Sequence, residues 1–109
     1  MKLDVNELAV TVREQDMNGT LAVLRNDFWK FASWGAQAFK NFNNKVMRFK
    51  VNGNHHKGHV YVVVNGSDLY DVYLTTTHGN IVKEMIDIYF DELADRIDDS
   101  IERIDEYVK

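Results

Sequence analysis

Ten carboxylates crowd the stretch from Glu84 to Glu106, and only Arg96 and Arg103 stand among them. Asp87, Asp91, Asp95, Asp98, Glu102 and Asp105 recur at intervals of four, four, three, four and three, which would put them on one face of a helix. Like charges at that spacing repel each other. A cationic surface is therefore expected to answer them, either from a partner or from the chain's own basic middle. On a helix rising about 1.5 Å per residue the ten would fall one per ~3.3 Å, close to the ~3.4 Å between phosphates of one DNA strand. A protein that imitates nucleic acid and so blocks a nucleic-acid-binding enzyme could use such a stripe. A solvated face that only keeps the protein in solution is the plain alternative.

The middle of the chain has the opposite charge. Arg25, Lys30, Lys40, Lys45, Arg48, Lys50 and Lys57 face Asp27 alone over that span, and six of the thirteen aromatics lie between Phe28 and Phe42. Trp29 falls off the apolar stripe of its segment, on the side of Arg25 and Lys40. With Arg48, Lys50, Lys57, Tyr61 and Tyr73, such groups could neutralise phosphates and stack on bases. A tryptophan beside arginine is equally the mark of a protein-interface anchor. In the plain alternative Trp29 packs beneath the first helix and lysines line the rim.

Other chemistry is sparse. His55, His56 and His59 form the one histidine cluster, and imidazole suits zinc, copper and nickel. Histidines of adjacent strand residues point to opposite faces, so a polar hairpin loop is expected there and no metal site. His78 could couple with Asp68 or Asp71. It has no serine or cysteine nucleophile with supporting partners, and no Gly-rich phosphate loop accompanies it. No catalytic residue, enzymatic activity or cofactor is expected.

These groups must be positioned by one domain, since 109 residues suffice for a single core. Apolar residues at 45% and charged residues at 28% describe a folding globular chain, not a disordered one. The absence of cysteine excludes disulfides and thiolate metal sites and fits a reducing cytoplasm. No apolar run follows Lys2 as a signal peptide requires, and none approaches a membrane span. The net charge of −4 hides a division: residues 1–83 carry ten basic and seven acidic groups, residues 84–109 three and ten.

Asp4 with Glu7 three residues on reads as a helix start, followed by Val5, Leu8, Ala9 and Val12 at helical spacing; Leu8, Val10 and Val12 would also suit a strand. Asn18-Gly19 breaks the run and Thr20 can cap a second helix, with Leu21, Leu24, Phe28, Phe31, Ala38 and Phe42 on one face and Gly35 in the stripe. The period then changes to two. Met47, Phe49 and Val51 mark one strand, His59 to Val64 a second and Leu69 to Thr75 a third, the last two joined at Asn65-Gly66. A long acidic helix follows, with Val82, Ile86, Phe90, Leu93, Ile97, Ile101 and Ile104 as its apolar stripe.

The expected fold is thus α+β: a three-stranded antiparallel β-meander with two N-terminal helices and one long acidic C-terminal helix, in the order α-α-β-β-β-α. The turn at Asn65-Gly66 would group Val60, Val62 and Val64 with Leu69 and Tyr73, and Tyr61 and Val63 with Tyr70, Val72 and Leu74. Both faces are then apolar, so helices cover both or one meets a second chain. The order helix, three meandering strands, helix is similar to that of double-stranded-RNA-binding domains. That family grips phosphates with lysines at the start of its last helix; the matching Gly79-Asn80-Ile81-Val82-Lys83-Glu84 has one, so the activity is not implied here.

The expected function is non-enzymatic binding of a protein with a basic surface, through Asp87, Asp91, Asp95, Asp98, Glu102 and Asp105 with Trp29 as a second anchor. Small acidic inhibitors encoded by phages and mobile elements act in this way. The alternatives are a nucleic-acid-binding module using Arg25, Lys40, Arg48, Lys50, Lys57, Tyr61 and Tyr73, or a homodimer joined through the second apolar sheet face. No membrane partner is expected.

Overall fold

In the computed structural model, which describes residues 2–26, 28–53 and 55–101, Asp4 caps the first helix, α1 (Val5–Thr11). Its Oδ1 accepts from the Asn6 N–H at 3.0 Å and the Glu7 N–H at 3.2 Å, satisfying two donors that the first helical turn leaves free. The second helix, α2 (Met17–Leu24), begins earlier than Thr20. Asp16 caps it by accepting from the Asn18 N–H, so Asn18 and Gly19 lie inside the first turns and do not break a helix. Thr20 is buried and donates to Gln15 Oε1 at 2.6 Å. Gln15 in turn donates to the carbonyls of Lys45 and Val62, which anchors the α1–α2 connection on the sheet.

The expected three-stranded, α-α-β-β-β-α layout is corrected at both ends of the meander. Helix α3 is only Phe28–Ser33, and the chain turns at Gly35, which holds φ +63° at no steric cost. Residues placed by periodicity at the end of a second helix instead form strand β1 (Gln37–Phe42). Strands β2 (Val46–Asn52), β3 (Lys57–Val64) and β4 (Tyr70–Thr75) follow the expected alternation. The segment expected to open the acidic helix is strand β5 (Ile81–Ile88), and helix α4 covers only Leu93–Ile101. The five strands form one antiparallel sheet in the order β1-β2-β3-β4-β5. With Ile81–Ile88 a strand, the likeness in element order to double-stranded-RNA-binding domains lapses.

Bulges explain why both edge strands read as helices. The pairing shifts between Tyr70 and Val72, where Asp87 takes φ +57°. An extra residue there lets Met85 and Ile88, three apart, both enter the core, a spacing that resembles a helical face. In β1 the register shifts between Gln37 and Lys40, with Ala38 at φ +56°. The β3–β4 connection also differs from the expected tight turn. It is a five-residue loop closed by the Asn65 N–H, which donates to the Leu69 carbonyl at 2.8 Å, so Val64 pairs with Tyr70. Tyr61 consequently faces Tyr73, and Val60 and Val62 face Leu74 and Val72. The side chain of Asn65 holds this loop, donating to Asp71 and Asp87 and accepting from the N–H groups of Ser67 and Leu69.

Helices cover both sheet faces. On one, Leu24, Trp34, Leu93, Ile97 and Ile101 pack on Met47, Phe49, Val51, Val60, Val62, Val72, Leu74, Met85 and Ile88. Each such side chain contributes about 1.5–3 kcal/mol when fully buried. On the other, Leu3, Val5, Leu8, Ala9 and Val12 of α1 and its flanks cover Val46, Tyr61, Val63, Phe42 and Tyr73. The second apolar sheet face is therefore occupied by the chain's own first helix. Among the described residues no helix is long and apolar enough to cross a membrane.

Candidate interaction surfaces

Once Ile81–Ile88 is a strand, the six carboxylates of the expected stripe no longer share a helix. Asp87 sits in the β5 bulge, where its Oδ1 accepts from Asn65 at 2.7 Å. Asp91 lies in the turn before α4. Asp95 is ion-paired to Lys30 of α3. Asp98 turns towards the fold and accepts from the buried Trp34 Nε1 at 3.0 Å. Glu102 and Asp105, with Ile104 of the apolar stripe, lie outside the described residues. Val82, Ile86 and Phe90, expected beneath the helix, are exposed, whereas Leu93, Ile97 and Ile101 are buried. The even ridge of charge that imitation of nucleic acid would need is not formed by these residues.

The helical layer instead carries an aromatic and acidic surface. Trp29 is 81% exposed and Phe28 56%, their rings edge to face at 5.8 Å. Phe90 is 68% exposed and, with Asp91, Ala22, Val23 and Asn26, lines an open cleft of about 290 Å³ between α2 and the start of α4. Tyr89 is also exposed, as are Asp91, Glu92 and Asp95. The Lys30–Asp95 ion pair ties α3, which carries Trp29, to α4. Sequence reasoning singled out Trp29 but missed Phe28, Tyr89 and Phe90. The signal was available in the crowding of aromatics beyond what one helix face can bury, but Phe90 was assigned to a buried stripe.

The basic residues divide. Arg25 is exposed at the end of α2. Lys40, Arg48, Lys50 and Lys57 lie on one face of the sheet. Lys40 pairs with Arg48 across β1 and β2, Lys50 pairs with His59 across β2 and β3, and Lys57 stands two residues before His59. Lys40 Nζ and the Arg48 guanidinium both sit over the Phe42 ring, at 5.1 and 5.4 Å. Tyr61 is buried at 4% exposure and Tyr73 is half-buried beside α1, so neither offers a free stacking face. The expected grouping of Trp29 with Arg25 and Lys40 is not formed, because Lys40 belongs to β1.

Burial, then the nearby charges of Arg48, Lys50 and His56, hold the His59 imidazole below its ordinary range near 6.5. The Tyr61 ring lies edge-on to it. At the far end of the same face, burial and then Asp71 and Glu84 push Tyr73 upward. The face is thus positive over β1–β3 and negative over β4–β5. Because folding lowers the proton affinity of His59, the unfolded chain binds more protons as pH falls through about 6.5. Stability should therefore decline as pH drops from 7.5 to 5.5, and His59→Gln should reduce that decline. Urea midpoints of the two proteins at both pH values measure it; an undiminished decline in the variant would remove His59 as its source.

The remaining candidates do not converge. His56 is buried with Nε2 at 3.4 Å from the His59 carbonyl, and His59 lies within β3, as the strand expected from His59 to Val64 requires. Among the described residues no group of three His, Asp or Glu side chains is placed to hold a metal ion. His78 is exposed in the β4–β5 turn, while Asp68 pairs with Arg13 at 3.0 Å and Asp71 accepts from Asn65 and the Asp87 N–H. Comparison of the chain with protein families, with curated proteins and with solved structures finds no match.

Proposed function

We propose that this protein is a small non-catalytic binding protein whose helical layer contacts another protein that presents a basic surface. The observation that carries the reading is the exposure of two aromatic pairs, Phe28–Trp29 on α3 and Tyr89–Phe90 ahead of α4, with Asp91, Glu92 and Asp95 at the start of the helix that Lys30 ties to α3. Scattered single apolar residues are ordinary on a protein surface, but grouped large aromatics mark interaction sites. Tryptophan is also among the residues most often found to dominate binding energy. The carboxylates supply the complementary term, speeding encounter with a cationic partner and excluding acidic ones. An inhibitory role and an origin in a phage or mobile element remain part of this reading, as does action in the cytoplasm, which a cysteine-free chain permits.

The anchor roles follow from accessibility. Trp29 and Phe28 would insert as apolar knobs, the cleft beside Phe90 would receive one, and Asp91 would meet a lysine or arginine of the partner. Asp98 is excluded because it is engaged with Trp34. Affinity capture from the native cell tests the reading. The wild type should recover one basic partner in stoichiometric amount, and Trp29→Ala with Asp91→Lys should weaken that complex at least about thirtyfold, the effect of losing a hot spot worth about 2 kcal/mol. Both substitutions are at exposed positions, so circular dichroism should show an unchanged fold. Recovery that is indifferent to the double substitution would remove the proposal.

A further inference from the structure

We propose that the open half of the α1-side sheet face, formed by Lys40 of β1, Arg48 and Lys50 of β2 and Lys57 of β3, binds the phosphate backbone of a single-stranded nucleic acid. This surface is separate from the aromatic one, which lies on the helices covering the opposite sheet face. Strand pairing steps its cations diagonally across three strands, with Lys40 opposite Arg48, Lys50 two residues further along β2 and Lys57 opposite Asn52; neighbouring strands are about 4.8 Å apart and alternate residues about 6.7 Å apart along a strand. Helix α1 covers the adjoining rows of Val46, Val63, Tyr61 and Tyr73 and stops short of Lys50 and Lys57.

Three observations point to an anionic ligand. Among the described residues, none of Lys40, Arg48, Lys50 or Lys57 has an ion-pair partner, whereas Arg13 and Lys30 elsewhere do. Arg48 Nε is buried and meets no acceptor among the described residues, which is costly for a charged group in a folded protein. His59, which faces Lys50 and stands two residues from Lys57, is held below its ordinary range first by burial and then by the charges of Arg48, Lys50 and His56. A short diagonal row of separated cations on an open strand surface suits a chain of regularly repeated single negative charges. The strip spans three strands, about 10 Å from β1 to β3, with α1 along one side, which is room for one backbone.

The aromatics decide how the strand would be read. Phe42 is already covered by Lys40 and Arg48, and Tyr61 is buried, so neither ring is free to stack on a base. Recognition would rest on phosphates, and the interaction would be tolerant of sequence and strongly dependent on salt.

Fluorescence anisotropy of a labelled oligothymidylate, titrated with the full-length protein between about 50 and 200 mM salt, tests this. Four phosphate contacts predict a slope of log K against log salt of about −3 for a single strand. Lys50→Glu with Lys57→Glu should weaken binding at least about tenfold at the lower salt, with an unchanged urea midpoint because both side chains are exposed. Trp29→Ala should bind the oligonucleotide as the wild type does, which separates this site from the protein-binding surface. Absence of binding by the wild type at low salt, or binding unaffected by the double reversal, would overturn the proposal. So would equal competition by polyglutamate, which would show that the strip reads charge alone, or tighter binding of the matching duplex.

Discussion

Trp34→Ala should destabilise the protein by about 3–5 kcal/mol, the range for removing a large aromatic from a packed core. Trp34 is fully buried and contacts three elements. Its ring stacks on Phe49 of β2 at 6.4 Å and meets Phe31 of α3 edge to face at 5.6 Å. Its Nε1 donates to Asp98 of α4. Alanine would leave a cavity between sheet and helices and release one of the ties holding α4. Phenylalanine would keep most of the packing and lose only the hydrogen bond, at a cost of about 1–2 kcal/mol since Asp98 can turn to water. Urea unfolding followed by far-ultraviolet circular dichroism measures both. A loss below about 1 kcal/mol for alanine would contradict the central position assigned to this side chain.

Gly53→Ala should be nearly as damaging, for a steric reason. Gly53 follows β2 and lies against the last described turn of α4. A Cβ there would stand 2.3 Å from Ile101 Cγ2 and 2.5 Å from the Ile101 carbonyl oxygen. The side chain could rotate away, but the backbone oxygen is fixed by the His55 N–H, which donates to it at 2.7 Å. Relief requires moving α4 or the β2–β3 loop, so a loss of about 3 kcal/mol or more is expected. Gly66→Ala is the control: a Cβ there meets nothing within 4 Å, and stability should change by less than about 0.5 kcal/mol. Hydrogen exchange should show the α4 amides losing protection first in Gly53→Ala. Equal stability of the two variants would mean that α4 does not dock on this glycine. The same variant should weaken the proposed protein contact, because α4 and the turn before it carry Asp95, Asp91 and Phe90.

The two surfaces were legible to different degrees. The common face of Arg48, Lys50 and Lys57 follows from strand parity once β2 and β3 are recognised, and those strands announce themselves through Met47, Phe49 and Val51 and through Val60 and Val62. Trp29 was conspicuous because it fell off every apolar stripe. The carboxylate stripe was misread because its geometry depended on the structure of Ile81–Ile88. Val82, Ile86 and Phe90 recur every four residues as on a helix, yet β-branched and aromatic residues also favour strands. Asp98 could not be recognised as a structural partner of Trp34, since 64 residues separate them.

What the residues alone determined is local: the Asp4 cap, the alternation of the three central strands, the buried spacing of Leu93, Ile97 and Ile101, and the separation of a basic middle from an acidic end. Each depends on neighbours within a turn or two of chain. The two edge strands and the fate of the carboxylates were decided only in the assembled fold. Residues 37–42 and 81–88 gain their backbone hydrogen bonds from β2 and β4, and the bulges at Ala38 and Asp87 fit their side chains to a core that no local pattern could reveal.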